Sequence, residues 1–368
     1  MCALISLIHR FDSVNFLDIP AFPSQHTSSM NLKNLGLTLL LVGSITVYGA
    51  HASTPTYAVL KKIPLKGEGG WDYLTIDSAS HRLFISRGTH VQVMDTVSGS
   101  IVGDIQNTIG VHGIALNHKI GRGYTSNGRE NTVTVFNLKT LKEITKIKID
   151  GQNPDAILFD SASDRIFTFN GRSSDATAID TKTNKVVGTI KLHGKPEFPQ
   201  ADGKGTIFVN IEDTSEIQQI NSQSLTVSKS WKIAPAEGPS GMAMDHKHHL
   251  IFSVCDGLMA ISDTKAGKLM QTAKIGDGPD AAEFDASYDL AMSSNGGSGT
   301  LSVVARKANG QYETVQTLNT QKGARTMTLD TKTHKIYLIS AEFGAPAPGS
   351  RYPSVKPNSA FILVVGPK

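Results

Sequence analysis

Asp72, His112, Asp155, Glu197, Ser240, Asp280 and Arg325 each stand five residues ahead of an Asx residue, at positions 77, 117, 160, 202, 245, 285 and 330. The aliphatic residues around them recur, whereas this position changes from copy to copy. Variation inside a constant frame points to a ligand. Asp72, Asp155, Glu197 and Asp280 offer hard oxygen ligands and His112 a nitrogen, a set suited to Ca²⁺, Mg²⁺ or Mn²⁺ and open to Zn²⁺. Crowded around one axis, the carboxylates repel each other unless a cation or Arg325 compensates. With a metal polarising a carbonyl and His112 or Glu197 moving a proton, the chemistry would be lactone hydrolysis or an elimination. The plain alternative is a polar lining that faces water and needs no partner.

A second set follows ten residues after each Asx position, or eight after Asp202: Arg87, Asn127, Asn170, Asn210, Cys255, Asn295 and Ser340. These are expected to form a polar ring around the first. Arg87, Arg129, Arg172 and Arg325 map to the same face, where a fork of guanidinium groups would hold a carboxylate or phosphate. Solvated arginines pairing with a neighbour such as Asp175 are the alternative. Trp71 and Tyr73 flank the first inner position and are candidates for stacking on a sugar or base, or for packing. The overlong stretch from Ala341 to Asn358 reads as a lid carrying Phe343, Arg351 and Tyr352, or as a disordered tip.

What must position these residues is a repeat. The copies Trp71 to Asp77, Val111 to Asn117, Pro154 to Asp160, Pro196 to Asp202, Pro239 to Asp245, Pro279 to Asp285 and Ala324 to Asp330 align without gaps, at spacings of 40, 43, 42, 43, 40 and 45 residues. Each is followed by further short β-branched or aromatic runs, such as Arg82 to Ser86, Thr132 to Phe136 and Val186 to Ile190, bounded by Gly, Asp, Asn and Ser. The period and the absence of amphipathic helices predict an all-β, seven-bladed β-propeller of four-stranded blades. Tyr57 to Leu65 reads as a fourth strand without its first three, and Ala360 to Val365 as a third strand without its fourth. The N-terminal strand is therefore expected to complete the C-terminal blade, removing an open sheet edge. In that register the inner set lines the mouth of the central channel.

The 368-residue chain is 39% apolar and 18% charged, with 34 glycines, which suits one large globular unit over residues 53 to 368. Residues 1 to 29 carry no clear pattern and read as an extra leader or a mis-assigned start, with Met30 the alternative initiator. Residues 30 to 52 read as a secretory signal: Met30-Asn-Leu-Lys33, an apolar run from Leu35 to Tyr48, then Ala50-His-Ala52, with cleavage after Ala52. The expected location is periplasmic or secreted, with no membrane span in the mature chain. Cys255 is then the only mature cysteine, so no internal disulfide forms. A net charge of +4 without a basic block argues against nucleic acid as the partner. No GxSxG elbow, P-loop, HExxH pair or CxxC occurs. Asp245-His-Lys-His-His249 looks like a metal tract but falls, by register, in turns on the opposite face.

The second runs end in Tyr124-Thr-Ser-Asn127, Phe167-Thr-Phe-Asn170 and Ile207-Phe-Val-Asn210, and third runs close on turns such as Asp180-Thr-Lys-Thr183. In these residues the chain, over about residues 55 to 368, resembles the YVTN-repeat, YncE-like group of seven-bladed β-propellers. Arg87, Cys255 and Ser340 stand where that pattern has Asn. The resemblance implies an exported protein, with single-stranded DNA binding in one branch and lyases or lactonases on related propellers. The expected function is a monomeric binding or interaction propeller for a small polar ligand or a partner protein. A metal-dependent lyase or lactonase is the alternative, and single-stranded DNA binding comes third, because the inner ring is acidic.

Overall fold

A computed structural model describes residues 54–346 and 353–368. The segments 1–29 and 30–52, expected to be an extra leader or mis-assigned start and a secretory signal, lie outside the described residues, as do Arg351 and Tyr352. Seven antiparallel sheets of four strands make seven blades; six run in chain order from first strand to fourth, and the seventh takes its fourth strand from the beginning of the described chain. The first strands are Leu74–Asp77, Val111–Asn117, Pro154–Asp160, Pro196–Ala201, Met242–Asp245, Pro279–Asp285 and Met327–Asp330. Each packs against the first strand of the next blade, and the seventh against the first, so together they encircle a channel.

Strands alternate their side chains between two faces, and here both faces of every blade are covered by a neighbouring blade. Leu83 and Ile85 enter a core shared with the seventh blade, while Phe84, one residue out of phase, enters a core shared with the second. Seven such clusters, one at each seam, replace a single central core. Full burial of side chains such as Phe84 and Phe136 contributes about 1.5–3 kcal/mol each. Fourth strands face solvent on one side, which is why Val102, Ile144, Val187 and Met270 remain exposed.

The Asx residues act as the repeat predicts. Asp77, Asp160, Asp245 and Asp330 accept backbone N–H groups two residues on, closing the turn into the second strand. Four residues after the Asx, His81, Asp164, His249, Asp289 and His334 adopt positive φ. Asn117 departs from this: a single helical turn, His118–Ile120, follows it, and neither polar atom of its side chain finds a partner.

Closure also follows expectation. Tyr57–Pro64 pairs antiparallel with Phe361–Pro367, which itself pairs with Lys335–Ser340. Gln316 of the sixth blade clamps the strand by bonding both the N–H and the carbonyl of Tyr57. Gln271 of the fifth blade grips Tyr312 of the sixth in the same way. Among the described residues no helix is long and apolar enough to cross a membrane. The long insertion in the seventh blade contains a small hairpin, Phe343–Pro346 with Pro353–Val355.

Candidate functional site at the channel mouth

The inner positions meet as a chain of contacts running from blade to blade. Asp155 lies 3.6 Å from His112 Nδ1, and His112 Nδ1 lies 2.6 Å from Asp72. The other oxygen of Asp72 is 3.6 Å from the Arg325 guanidinium, which binds Asp280 at 2.7 Å. Asp280 in turn accepts a hydrogen bond from the Ser240 hydroxyl at 2.7 Å. Six blades are thus joined through side chains. Glu197, from the fourth blade, is held instead by Lys195 at 2.7 Å. None of these groups is sealed off: the side chains of Arg325 and His112 keep 49% and 26% of their surface exposed.

Their protonation is mutually dependent. Burial works to lower the His112 imidazole, but the Asp72 hydrogen bond and the Asp155 charge outweigh it and hold it above its ordinary value. Burial pushes Asp155 up to about 6, against the opposing charge of His112. Burial and the facing Asp155 push Glu197 up to about 8, even with Lys195 beside it. Lys195 also pairs with Glu212, so one ammonium serves two carboxylates. Asp280 rises by burial, moderated by Arg325. Charges of both signs thus lie within reach of one another, and the Glu197 proton depends on the Asp155 charge, so the two do not titrate independently.

Next to the ring positions in sequence stand two aromatic side chains. Tyr73 from the first blade meets Phe198 from the fourth with ring centroids 5.4 Å apart. With Ile114, Ala156 and Ile157 the two rings line a cavity of about 40 Å³, and they give the mouth, called the cup below, an apolar side. Burial, then the charges of Asp155 and Asp72, push the Tyr73 hydroxyl well above its usual range. Trp71, by contrast, packs on the core between the seventh and first blades and tilts against Phe343 at 6.4 Å.

Backbone placement of the ring comes from residues the sequence reading passed over. Ser86 accepts the Asp72 N–H, Ser126 donates to the Asp155 carbonyl, and Ser294 donates to the Arg325 carbonyl. Thr326 Oγ1 donates to the Asp72 carbonyl. Ser86, Ser126 and Ser294 all directly precede the position where Asn recurs, and that recurrence was the available signal. Gly128 lies under His112, where a Cβ would come within 2.6 Å of Nε2.

The expected second ring is not a ligand surface. Asn127, Asn170, Asn210 and Asn295 have no exposed surface. Asn127 donates to Thr132 and Thr134 and accepts from Thr125; Asn170 repeats this with Asp175, Thr177 and Thr168, and Asn295 with Thr300, Ser302 and Ser293. They staple second strands to third strands. Asn210, the one with the shortened offset, reaches instead to the carbonyls of Ser240 and Gly241 in the fifth blade. Ser340 and Cys255 are buried as well, and burial pushes the Cys255 thiol up to about 12, far from a nucleophilic thiolate. Arg129 and Arg172 are exposed on loops of this face, while Arg87 is 1% exposed.

The expected five-ligand metal set contracts to three. Ligand atoms of Asp72, His112 and Asp155 lie within 4.8 Å of one another, whereas Glu197 is engaged by Lys195 and Asp280 by Arg325 and Ser240. A second trio appears where the His-rich tract was set aside. Asp245 and His248 converge with Asp289, which arrives from the next blade and keeps a buried Oδ1 without a hydrogen-bond partner. A tract read along the chain could not reveal a ligand supplied by the adjacent blade.

The blade ring is similar to two solved structures. One is hydrazine synthase from Kuenenia stuttgartiensis, with a TM-score of 0.65 and 16% identity over 74% of this chain and 93% of that one. The other is U3-55K, with a TM-score of 0.69 and 9% identity over 83% of this chain and 98% of that one. The seven-bladed β-propeller is what they share. No protein-family model matches the chain, and no curated protein matches it.

Proposed function

We propose that this protein is an exported propeller of the YncE-like kind that binds a small polar ligand in the cup at the channel mouth. The observation that carries this is the continuous, half-open chain Asp155–His112–Asp72–Arg325–Asp280–Ser240, built from six different blades. Arg325 presents donors to a carboxylate, Asp155 and Glu197 present acceptors to an amine or hydroxyl, and Tyr73 with Phe198 gives the ligand an apolar side. The ligand class is therefore a small amphoteric molecule, such as an amino acid or a hydroxy acid. Small-molecule mass spectrometry of denatured, freshly purified protein, followed by calorimetric titration with amino acids and hydroxy acids, tests it. Wild type should bind one class saturably, and Arg325→Gln combined with Asp155→Asn should lose at least about tenfold in affinity. Equal binding by the double variant would remove the cup as the site.

A metal-assisted lyase or lactonase is a second reading, favoured by the Asp72–His112–Asp155 trio. One imidazole nitrogen and two carboxylate oxygens suit Zn²⁺ or Mn²⁺. The ion would displace the proton between His112 and Asp72, so its affinity must rise with pH. Metal analysis before and after chelation, with lactone turnover in His112→Ala and Glu197→Gln, separates the two. A stoichiometric metal and turnover lost in both variants would make the protein an enzyme, whereas turnover unchanged in both would end that reading. The acidic ring offers no electrostatic attraction to single-stranded nucleic acid.

A further inference from the structure

On the face opposite the cup, the turns into the second strands share one pattern. The residue three places after the Asx aspartate donates a hydroxyl to its Oδ2: Ser80 to Asp77, Ser163 to Asp160 and Thr333 to Asp330, at 2.5, 2.6 and 2.7 Å. A second residue, four places after the Asx of the following blade, arrives across the seam. Between the sixth and seventh blades that residue is His334, which pairs with Asp285 at 2.7 Å and has the Tyr288 ring 4.5 Å from its own.

Between the fifth and sixth blades both positions change. His248 replaces the hydroxyl and bonds Asp245 Oδ2 through Nδ1, and Asp289 stands where the next seam has His334. Asp245 and Asp289 are the only two carboxylates opposed at these positions in the seven seams. Their ligand atoms and that of His248 lie within 4.8 Å of one another. Like charges at this separation repel, and one imidazole already engaged by Asp245 leaves the second carboxylate unanswered.

Two further groups are left open there. Among the described residues, Asp289 Oδ1 is buried without a hydrogen-bond partner. So is the hydroxyl of Tyr312, a side chain 4% exposed at the start of the sixth blade's fourth strand. After burial itself, the charges of Asp289 and Asp245 push that hydroxyl's pKa upward, which places it beside both carboxylates. No hydrogen bond joins it to either. Asp245 is fixed in place, its Oδ1 accepting the N–H groups of Lys247 and His248 at 2.9 and 3.1 Å. The site is not sealed: His248 keeps 27% of its side-chain surface exposed, which gives an ion a way in.

We propose that Asp245, His248 and Asp289 bind a divalent transition-metal cation of the Zn²⁺ type, which clips the fifth blade to the sixth. One imidazole nitrogen and two carboxylate oxygens are a zinc donor set, and bonds of about 2.0–2.2 Å hold tetrahedral ligand atoms about 3.4 Å apart. The trio stands near that separation, and the Asp245–His248 contact relaxes outward as the metal displaces the proton between them. The cation neutralises the opposed carboxylates and takes up the free Asp289 oxygen. A water completing the tetrahedron gives the Tyr312 hydroxyl its partner. The site shares no residue with the cup, and the two stand or fall separately.

Calorimetric titration with Zn²⁺ tests this, on chelator-stripped full chain carrying His112→Gln to disable the trio at the mouth. One saturable Zn²⁺ per chain is expected, weakened at least about tenfold by adding His248→Gln or Asp289→Asn. Thermal unfolding separates metal binding from packing alone. In chelator, Asp289→Asn should unfold at or above the temperature of its parent, because it removes an opposed charge; with Zn²⁺ it should unfold below it. No saturable Zn²⁺ binding by the parent, or equal binding by the parent and both variants, would overturn the site. So would an Asp289→Asn deficit that is the same with and without Zn²⁺.

Discussion

Two polar rings lie on one face of the same propeller, and they do opposite work. The inner residues, from Asp72 to Arg325, bond between blades and keep part of their surface open. The asparagines at 127, 170 and 295 bond within their blades and keep none. Both sets are polar and both recur at a fixed register. What separates them is the direction of their hydrogen bonds: a group saturated inside its own blade is scaffold, and one shared across a seam with surface to spare is free to meet a ligand.

The sharpest way to break that distinction is at Asn170. Asn170→Ala leaves Thr168, Asp175 and Thr177 without their shared partner, and orphaned buried groups cost about 1–3 kcal/mol each where they find no substitute. A loss of about 3 kcal/mol in urea unfolding is expected, with ligand affinity of the folded fraction unchanged. An affinity loss without destabilisation would return the asparagines to the site.

A smaller effect is expected from pH. Asp155 and Glu197 have folded values raised to about 6 and about 8, so between roughly pH 4 and 8 the folded state holds protons that the unfolded chain has released. Stability must fall as pH rises through that window. His112 acts in the same direction: its raised value adds stability that is complete below about pH 6.5 and is lost as pH climbs through the folded value. Urea unfolding at pH 5 and at pH 8.5 should show the decline, and Glu197→Gln should recover on the order of 2 kcal/mol at the higher pH. A wild-type protein more stable at pH 8.5 than at pH 5 contradicts the assignment.

Arg325→Gln should move stability by less than about 1 kcal/mol, because the guanidinium is half exposed. Its effect belongs in ligand affinity, the reverse of the Asn170 pattern. The mildest change is Gly128→Ala, whose methyl would crowd the tips of His112 and Asn153. These side chains can shift, so thermal unfolding should move little while affinity at the cup falls about two- to fivefold.

The frame was legible because a propeller writes its geometry into the period. Asp77, Asp160, Asp245 and Asp330 close equivalent turns, so the residues five positions earlier had to share one mouth. Individual partners were harder to read. Lys195 stands two residues outside the register, and Ser126 acts on Asp155 across a seam, so neither is visible from its own copy. The asparagines misled because polarity and register say nothing about which side of a strand carries a free acceptor. Asn210 was marked in advance by its offset of eight, and that shift accompanies its bonding to the fifth blade instead of its own.

The pairing of Tyr57–Pro64 with Phe361–Pro367 also sets an order of events. These partners lie about three hundred residues apart, so the last blade cannot form until nearly all of the described chain has been made. Long-range pairing of this kind folds slowly. Of the described strands the first to be made is the last to be satisfied, and Tyr57, Ile63 and Leu65, buried in the closed ring, stay uncovered while six blades assemble. A chain that cannot close early presents two open sheet edges until its last strand is made, and that interval is when it is most open to pairing with another copy.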